Sequence, residues 1–143
     1  MGKIMQADTF LGETLTITSG FVQNQGERDA FFIPLNGGDI KTIINCFNTF
    51  VSPFKMTLDS IIIKNVSGTP SVREVQIEVF RNERREITTG ADVQSRDRVG
   101  AFVDVDSFEV PGIINPLDTL NFSMNTNRGN WENAVAVITF KRI

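Results

Sequence analysis

The sequence predicts an all-β fold: a two-sheet antiparallel β-sandwich, jelly-roll-like, of about eight strands with an extended N-terminal arm. Three observations predict it. Apolar residues recur with a period of two rather than 3.6. Clusters of Asn, Gly, Pro and Asp punctuate the apolar runs at short intervals. No stretch of about ten residues keeps a helical period. The length, 143 residues, suits a single domain, 1–143, with enough core to stand without disulfides or a metal.

Residues 1–12 carry no strand pattern and form the expected arm. Glu13 to Thr18 and Asp29 to Leu35 read as strands, followed by a turn at Asn36-Gly37-Gly38-Asp39. Gly38 to Ile44 has room for one helical turn, and Asn45 to Val51 reads as a weak strand. Cys46 lies between Ile43-Ile44 and Phe47. As the only cysteine it is expected to be a small buried hydrophobe, with an intermolecular disulfide as the alternative. Met56 to Lys64 is a strand whose Ile61-Ile62-Ile63 is too apolar for an exposed edge.

Val72 to Phe80 alternates most clearly. Val75, Ile77 and Val79 fall on one face, with Glu74, Gln76 and Glu78 on a face expected to be wet. Residues 83–98 contain only two large aliphatics, Ile87 and Val93, and are expected to form a charged surface loop or hairpin, with a weak strand at Arg85 to Thr88. Arg81, Arg84, Arg85, Arg96 and Arg98 lie in or beside it, interleaved with Glu83, Glu86, Asp92 and Asp97, so the surface is of mixed charge. Val99 to Val105 and Phe108 to Val110 are weaker strands. Leu120, Phe122 and Met124 alternate with Asn121 and Ser123. Ala134 to Phe140 is apolar on both faces and is expected to be a central strand.

Composition bears on chemistry by subtraction. The chain has no His and no Tyr, against 12 Phe and one Trp. Without His it lacks the commonest general base and transition-metal ligand. With one Cys it lacks a Cys–His nucleophile pair and a Cys-plus-His zinc set. Glu74 and Glu78 sit four apart on one strand face, about 13 Å at strand rise. That exceeds the roughly 5–9.5 Å of paired glycosidase carboxylates, so a pair would need a partner such as Asp104 from another strand. Asp104, Asp106 and Glu109 lack the spacing of a calcium loop. No catalytic, metal or cofactor site is expected. A net charge of −3 opposes nucleic-acid binding, and no apolar run approaches a membrane helix. Trp131, in Asn127-Arg128-Gly129-Asn130-Trp131, is the one aromatic with a polar handle and a candidate protein-contact anchor.

One set of segments resembles a known group. Asn48-Thr49-Phe50-Val51-Ser52-Pro53-Phe54 leads into Leu58-Asp59-Ser60-Ile61-Ile62-Ile63-Lys64. Ser67-Gly68-Thr69 then precedes Val75-Gln76-Ile77-Glu78-Val79-Phe80-Arg81-Asn82. Leu117-Asp118-Thr119-Leu120-Asn121-Phe122 and Val135-Ala136-Val137-Ile138-Thr139-Phe140 close the chain. Over residues 45–82 and 115–143 this resembles the small β-sandwich virion proteins of tailed bacteriophages. It departs from them at 83–98, where they carry a short hairpin. The resemblance implies a non-enzymatic capsid decoration (cement) protein on the capsid surface of the virion, made in the host cytoplasm. It implies a homotrimer contacting the major capsid protein, with no nucleic acid, membrane or small-molecule substrate as partner. Residues 1–12 and 83–98 would meet those partners, giving Arg84, Arg85, Arg96, Arg98 and Trp131 as interface candidates. A tail or fibre component, or a receptor- or carbohydrate-binding jelly roll, is the alternative.

Overall fold

The computed structural model describes residues 9–11, 13–24, 30–65, 74–94, 100–104, 113–125 and 133–143. Among them there is no helix. Ten strands run in chain order: β1 (Thr9–Leu11), β2 (Thr14–Phe21), β3 (Ala30–Phe32), β4 (Phe50–Val51), β5 (Met56–Asn65), β6 (Glu74–Arg81), β7 (Arg84–Gln94), β8 (Gly100–Asp104), β9 (Thr119–Asn125) and β10 (Ala134–Arg142). They form two antiparallel sheets, and the all-β sandwich expected from the alternation is the observed architecture. The first sheet has the order β1-β2-β10-β5-β8, and the second β7-β6-β9, with β3 and β4 pairing different stretches of β9. The far end of β7 also pairs with β8, through Val93 with Ala101 and Gln94 with Gly100, so the layers are continuous along one edge.

The core lies between the layers. β10 runs between β2 and β5, the central position its two apolar faces predicted. Its Ala134, Ala136, Ile138 and Phe140 point inward with Leu15, Ile17 and Phe21 of β2 and Met56, Leu58, Ile61 and Ile63 of β5. From the other sheet come Ile77, Val79, Leu120, Phe122, Met124 and Phe31. Aromatic rings join the layers: Phe140 stacks on Phe50 at 5.9 Å and meets Phe122 edge-on at 6.3 Å, and Phe21 meets Phe31 at 5.6 Å. Such pairs add about 0.5–1.5 kcal/mol each beyond their buried area.

A strict period of two would turn Ser60 inward and Ile61 outward after Met56 and Leu58. The register against β10 shifts instead, Phe140 facing Leu58 and Thr139 facing Ser60, which leaves Asp59 as the extra residue of a β-bulge. The bulge flips the phase, so Ile61 and Ile63 are buried with Leu58. This resolves which members of the isoleucine triplet face the core.

Several sequence expectations are corrected. The weak strand expected at Arg85 to Thr88, within a charged surface loop or hairpin over 83–98, extends over Arg84–Gln94 as β7, hairpinned onto β6 through Asn82 and Glu83. Thr9–Leu11, placed in the arm, pair with β2. The helical turn over Gly38–Ile44 is absent. Gly37 and Gly38 both adopt φ of 89°, and Lys41 bridges back to Phe32. The strand expected over Asn45–Val51 shrinks to Phe50–Val51, because the Asn45 side chain folds the chain first: its Oδ1 accepts from the N–H groups of Phe47 and Asn48. That turn carries Cys46 to the surface, against the expectation of burial, and leaves Phe47 exposed beside it. The short strand at Phe108–Val110 lies outside the described residues.

Candidate functional site

The proposed interface residues divide. Arg84 and Arg85 open β7 and are exposed. Arg85 Nη1 donates to Glu78 Oε2 at 2.9 Å across the β6–β7 pair, so one of these cations is already engaged. Arg96, Arg98 and Trp131 lie outside the described residues, as do Asp106 and Glu109. Gln76 and Glu78 lie on the wet face as expected, Gln76 exposed and Glu78 half-buried. Among the described residues no cluster of three His, Cys, Asp or Glu could hold a metal, and no helix is long and apolar enough to cross a membrane.

The structure draws attention to one end of the sandwich, where three connections meet: residues 33–55, the β6–β7 turn, and residues 113–118 before β9. Asparagines hold them together. Asn36 Nδ2 donates to the carbonyls of Cys46 (2.9 Å) and Thr49 (2.7 Å), and its N–H to that of Phe47. Asn48, buried, donates from Nδ2 to the Ile43 carbonyl and accepts at Oδ1 from the Asn45 N–H. Asn82 replaces a missing rung of the ladder. Its N–H donates to the Thr119 carbonyl, its Oδ1 accepts from the Thr119 N–H at 3.0 Å, and its Nδ2 donates to Asp118 Oδ1 at 3.1 Å. Asn82 and Glu83 both have positive φ, 52° and 68°. Two consecutive left-handed residues are what a tight hairpin of primed type needs, and Asn is well suited to the first.

Asn121 is the member the sequence concealed. Its alternation with Leu120 and Phe122 predicts the outer face of β9, yet it is fully buried. The loop before β4 lies over that face. Asn121 Nδ2 lies within 2.8–2.9 Å of the Asn48 carbonyl, Asn48 Oδ1 and Thr49 Oγ1. Neighbouring bonds fix the sense of each contact. The Thr49 hydroxyl spends its hydrogen on the Asn45 carbonyl at 2.6 Å, so it accepts from Asn121. Reversing the amide would set oxygen against two oxygens. The Asn121 Oδ1 is therefore directed away from this cluster, and it has no hydrogen-bond partner. Asn121, Thr49, Asn82, Glu83, Thr119 and Ile44 line a cleft of about 260 Å³.

The third connection carries backbone strain. Asn115-Pro116-Leu117-Asp118 closes with the Asp118 N–H on the Asn115 carbonyl at 3.1 Å, Pro116 following Asn115 and Leu117 at φ 71°. The third position of such a turn is one where Gly or Asn is preferred. Asp118 stabilises the turn in return: Oδ2 accepts from the Asn115 N–H at 2.9 Å. That bond and, after it, the one from Asn82 hold the Asp118 carboxyl below its ordinary value of 3.8 against the opposing effect of burial, with the Arg81 charge adding least. Leu117 itself is 79% exposed. Its N–H donates to the Ser52 carbonyl, and Ser52 N–H to the Asp118 carbonyl, tying the turn to Ser52, the residue after Val51. Val51, Ile113, Phe47 and Ile43, on the same connections, are also exposed.

A scan against family models matches none, and a search of curated proteins finds no relative.

Proposed function

We propose that the chain is a non-enzymatic structural protein of a virion: a capsid decoration protein that stabilises a phage capsid by contacts with the major capsid protein and with copies of itself in a homotrimer. The resemblance of residues 45–82 and 115–143 to phage β-sandwich proteins supplies the class. The observation that supports a contact role is Leu117. A leucine in a left-handed conformation costs about 1–2 kcal/mol relative to an ordinary one, and most of its side chain is in solvent, so burial within the chain returns little. A glycine would make the same turn more easily. A large apolar group held there at a local cost is accounted for by an external surface that covers it. Ser52, laced to the same turn, places the adjoining Val51 in reach of that surface. On this reading the contact surface includes the loop end as well as the arginines of β7.

The test uses the intact chain. Light scattering is expected to give a trimer, and the protein is expected to sediment with capsids assembled from the major capsid protein encoded nearest to its gene. Leu117→Gly is expected to weaken that association while raising the melting temperature. A monomer at high concentration that leaves those capsids unbound overturns the proposal.

A further inference from the structure

We infer that Asn36-Gly37 is a self-modification site that the fold keeps closed: when residues 45–49 lift away, the Asn36 side chain deamidates, and the aspartyl product prevents the loop end from closing again. This does not rest on the structural role proposed above.

The reaction needs only the dipeptide and water. Hydroxide takes the proton of the Gly37 N–H, and that nitrogen attacks Asn36 Cγ. A C–N bond forms, the Cγ–Nδ2 bond breaks, and Nδ2 leaves as ammonia, taking its third hydrogen from water and so regenerating hydroxide. Water then opens the cyclic imide to aspartate or isoaspartate. A side chain on the following residue hinders the attack, and glycine has none. Asn36-Gly37 is the one Asn-Gly pair in the sequence.

Hydrogen bonds, not burial, hold the reacting atoms apart. Asn36 and Gly37 are exposed, so water and hydroxide reach them. Both hydrogens of Nδ2 are donated, to the Cys46 carbonyl at 2.9 Å and the Thr49 carbonyl at 2.7 Å, which fixes the carboxamide. The Gly37 N–H is held by the Pro34 carbonyl at 3.0 Å, and the Asn36 N–H by the Phe47 carbonyl at 2.9 Å. Gly37 itself is required by its φ of 89° rather than by crowding, since a Cβ there would meet open space. The acceptors on Cys46, Phe47 and Thr49 all belong to the turn built by Asn45. Local opening of that turn releases the site without global unfolding, and the rate follows the open fraction.

Closure afterwards is opposed by the product. A carboxylate only accepts, so it would set oxygen against the Cys46 and Thr49 carbonyls. Isoaspartate also lengthens the backbone just before two residues at φ 89°. Asn48 and Thr49 hold the buried Asn121 amide, so a turn that stays open strips that side chain of its acceptors.

Peptide-mapping mass spectrometry tests this by following each asparagine of the full chain, folded in buffer and unfolded in urea, at one mildly alkaline pH. Asn36 is expected to lead all other asparagines in urea and to be slower by about a hundredfold in the folded chain, as three bonds broken together imply. Asn45→Ala is expected to raise the folded rate about tenfold and leave the rate in urea unchanged. Thr49→Val, which loses the hydroxyl bond to the Asn45 carbonyl and keeps its own carbonyl, should raise it less. Asn36→Asp, which installs the product side chain directly, is expected to lower the urea midpoint and to speed hydrogen exchange at the Phe47 and Asn48 N–H groups. Equal rates in the folded and unfolded chains, a folded rate indifferent to both Asn45→Ala and Thr49→Val, or an Asn36→Asp chain as stable as the original overturns the inference.

Discussion

The inward faces of β2, β5 and β10 and the asparagine-laced loop end are held together by opposite means. The first is apolar and indifferent to direction: Ile17, Ile61, Ile63, Ala136 and Ile138 are buried by alternation, and the bulge at Asp59 keeps them in phase. The second is polar and directional. There Asn36, Asn48, Asn82 and Asn121 each satisfy groups from distant segments, and one displaced residue leaves several donors and acceptors unmatched. An apolar core tolerates substitutions of similar volume, whereas a buried polar network tolerates few. The sandwich is held by burial, and the loop end by directed bonds, with strain at Leu117 and an acceptor, Asn121 Oδ1, buried without a partner.

Breaking each region separately sharpens the contrast. Ile138→Asp buries an unpaired carboxylate between two sheets and is expected to prevent folding, a loss of several kcal/mol, visible as a missing cooperative transition in thermal circular dichroism. Asn121→Ala takes the shared donor from two Asn48 oxygens and Thr49. It is expected to cost about 2–3 kcal/mol by urea denaturation while the fold survives. Leu117→Gly should move the other way and stabilise by about 0.5–1 kcal/mol. It relieves the left-handed conformation, and the greater freedom of glycine in the unfolded chain cancels part of the gain. Glu78→Ala removes an ion pair whose arginine side chain is 62% exposed, and is expected to change stability by less than about 0.5 kcal/mol.

Acid tests the Asp118 turn. Its carboxyl titrates lower in the folded chain than in the unfolded one, so its stabilisation is complete above the ordinary aspartate value of 3.8 and is lost as pH falls through the lower folded value. Asp118→Asn should abolish that part of the acid-side slope, measured by comparing melting temperatures of the two proteins from neutral pH downward. A slope unchanged by the substitution would mean that the turn is held by its backbone alone.

The central place of β10, the inward set of β6 and the sandwich class were legible because burial on one face imposes a period of two that any strand must show. The isoleucine triplet marked a buried strand, but which members face inward was decided by the bulge, a property of pairing with β10. β7 escaped notice as a full-length strand because its charged residues suit a surface, and pairing with β6 and β8 rather than hydrophobicity makes it a strand. The burial of Asn121 is hidden for a related reason: alternation sets it on the face opposite Leu120 and Phe122 but cannot say whether a loop more than 70 positions away in sequence covers that face. Cys46 and Phe47 failed differently, since an asparagine side chain captured the local backbone and turned an apolar run outward.

By itself, then, the sequence determined the class of fold, the strands of the core and the absence of His and Tyr, because composition and periodicity are local and additive. Tertiary structure alone decided where the asparagines converge, that Leu117 stands strained and exposed, and that the Asn121 oxygen is buried without a partner. Each of those depends on hydrogen bonds between segments far apart in the chain, whose directions no local pattern encodes.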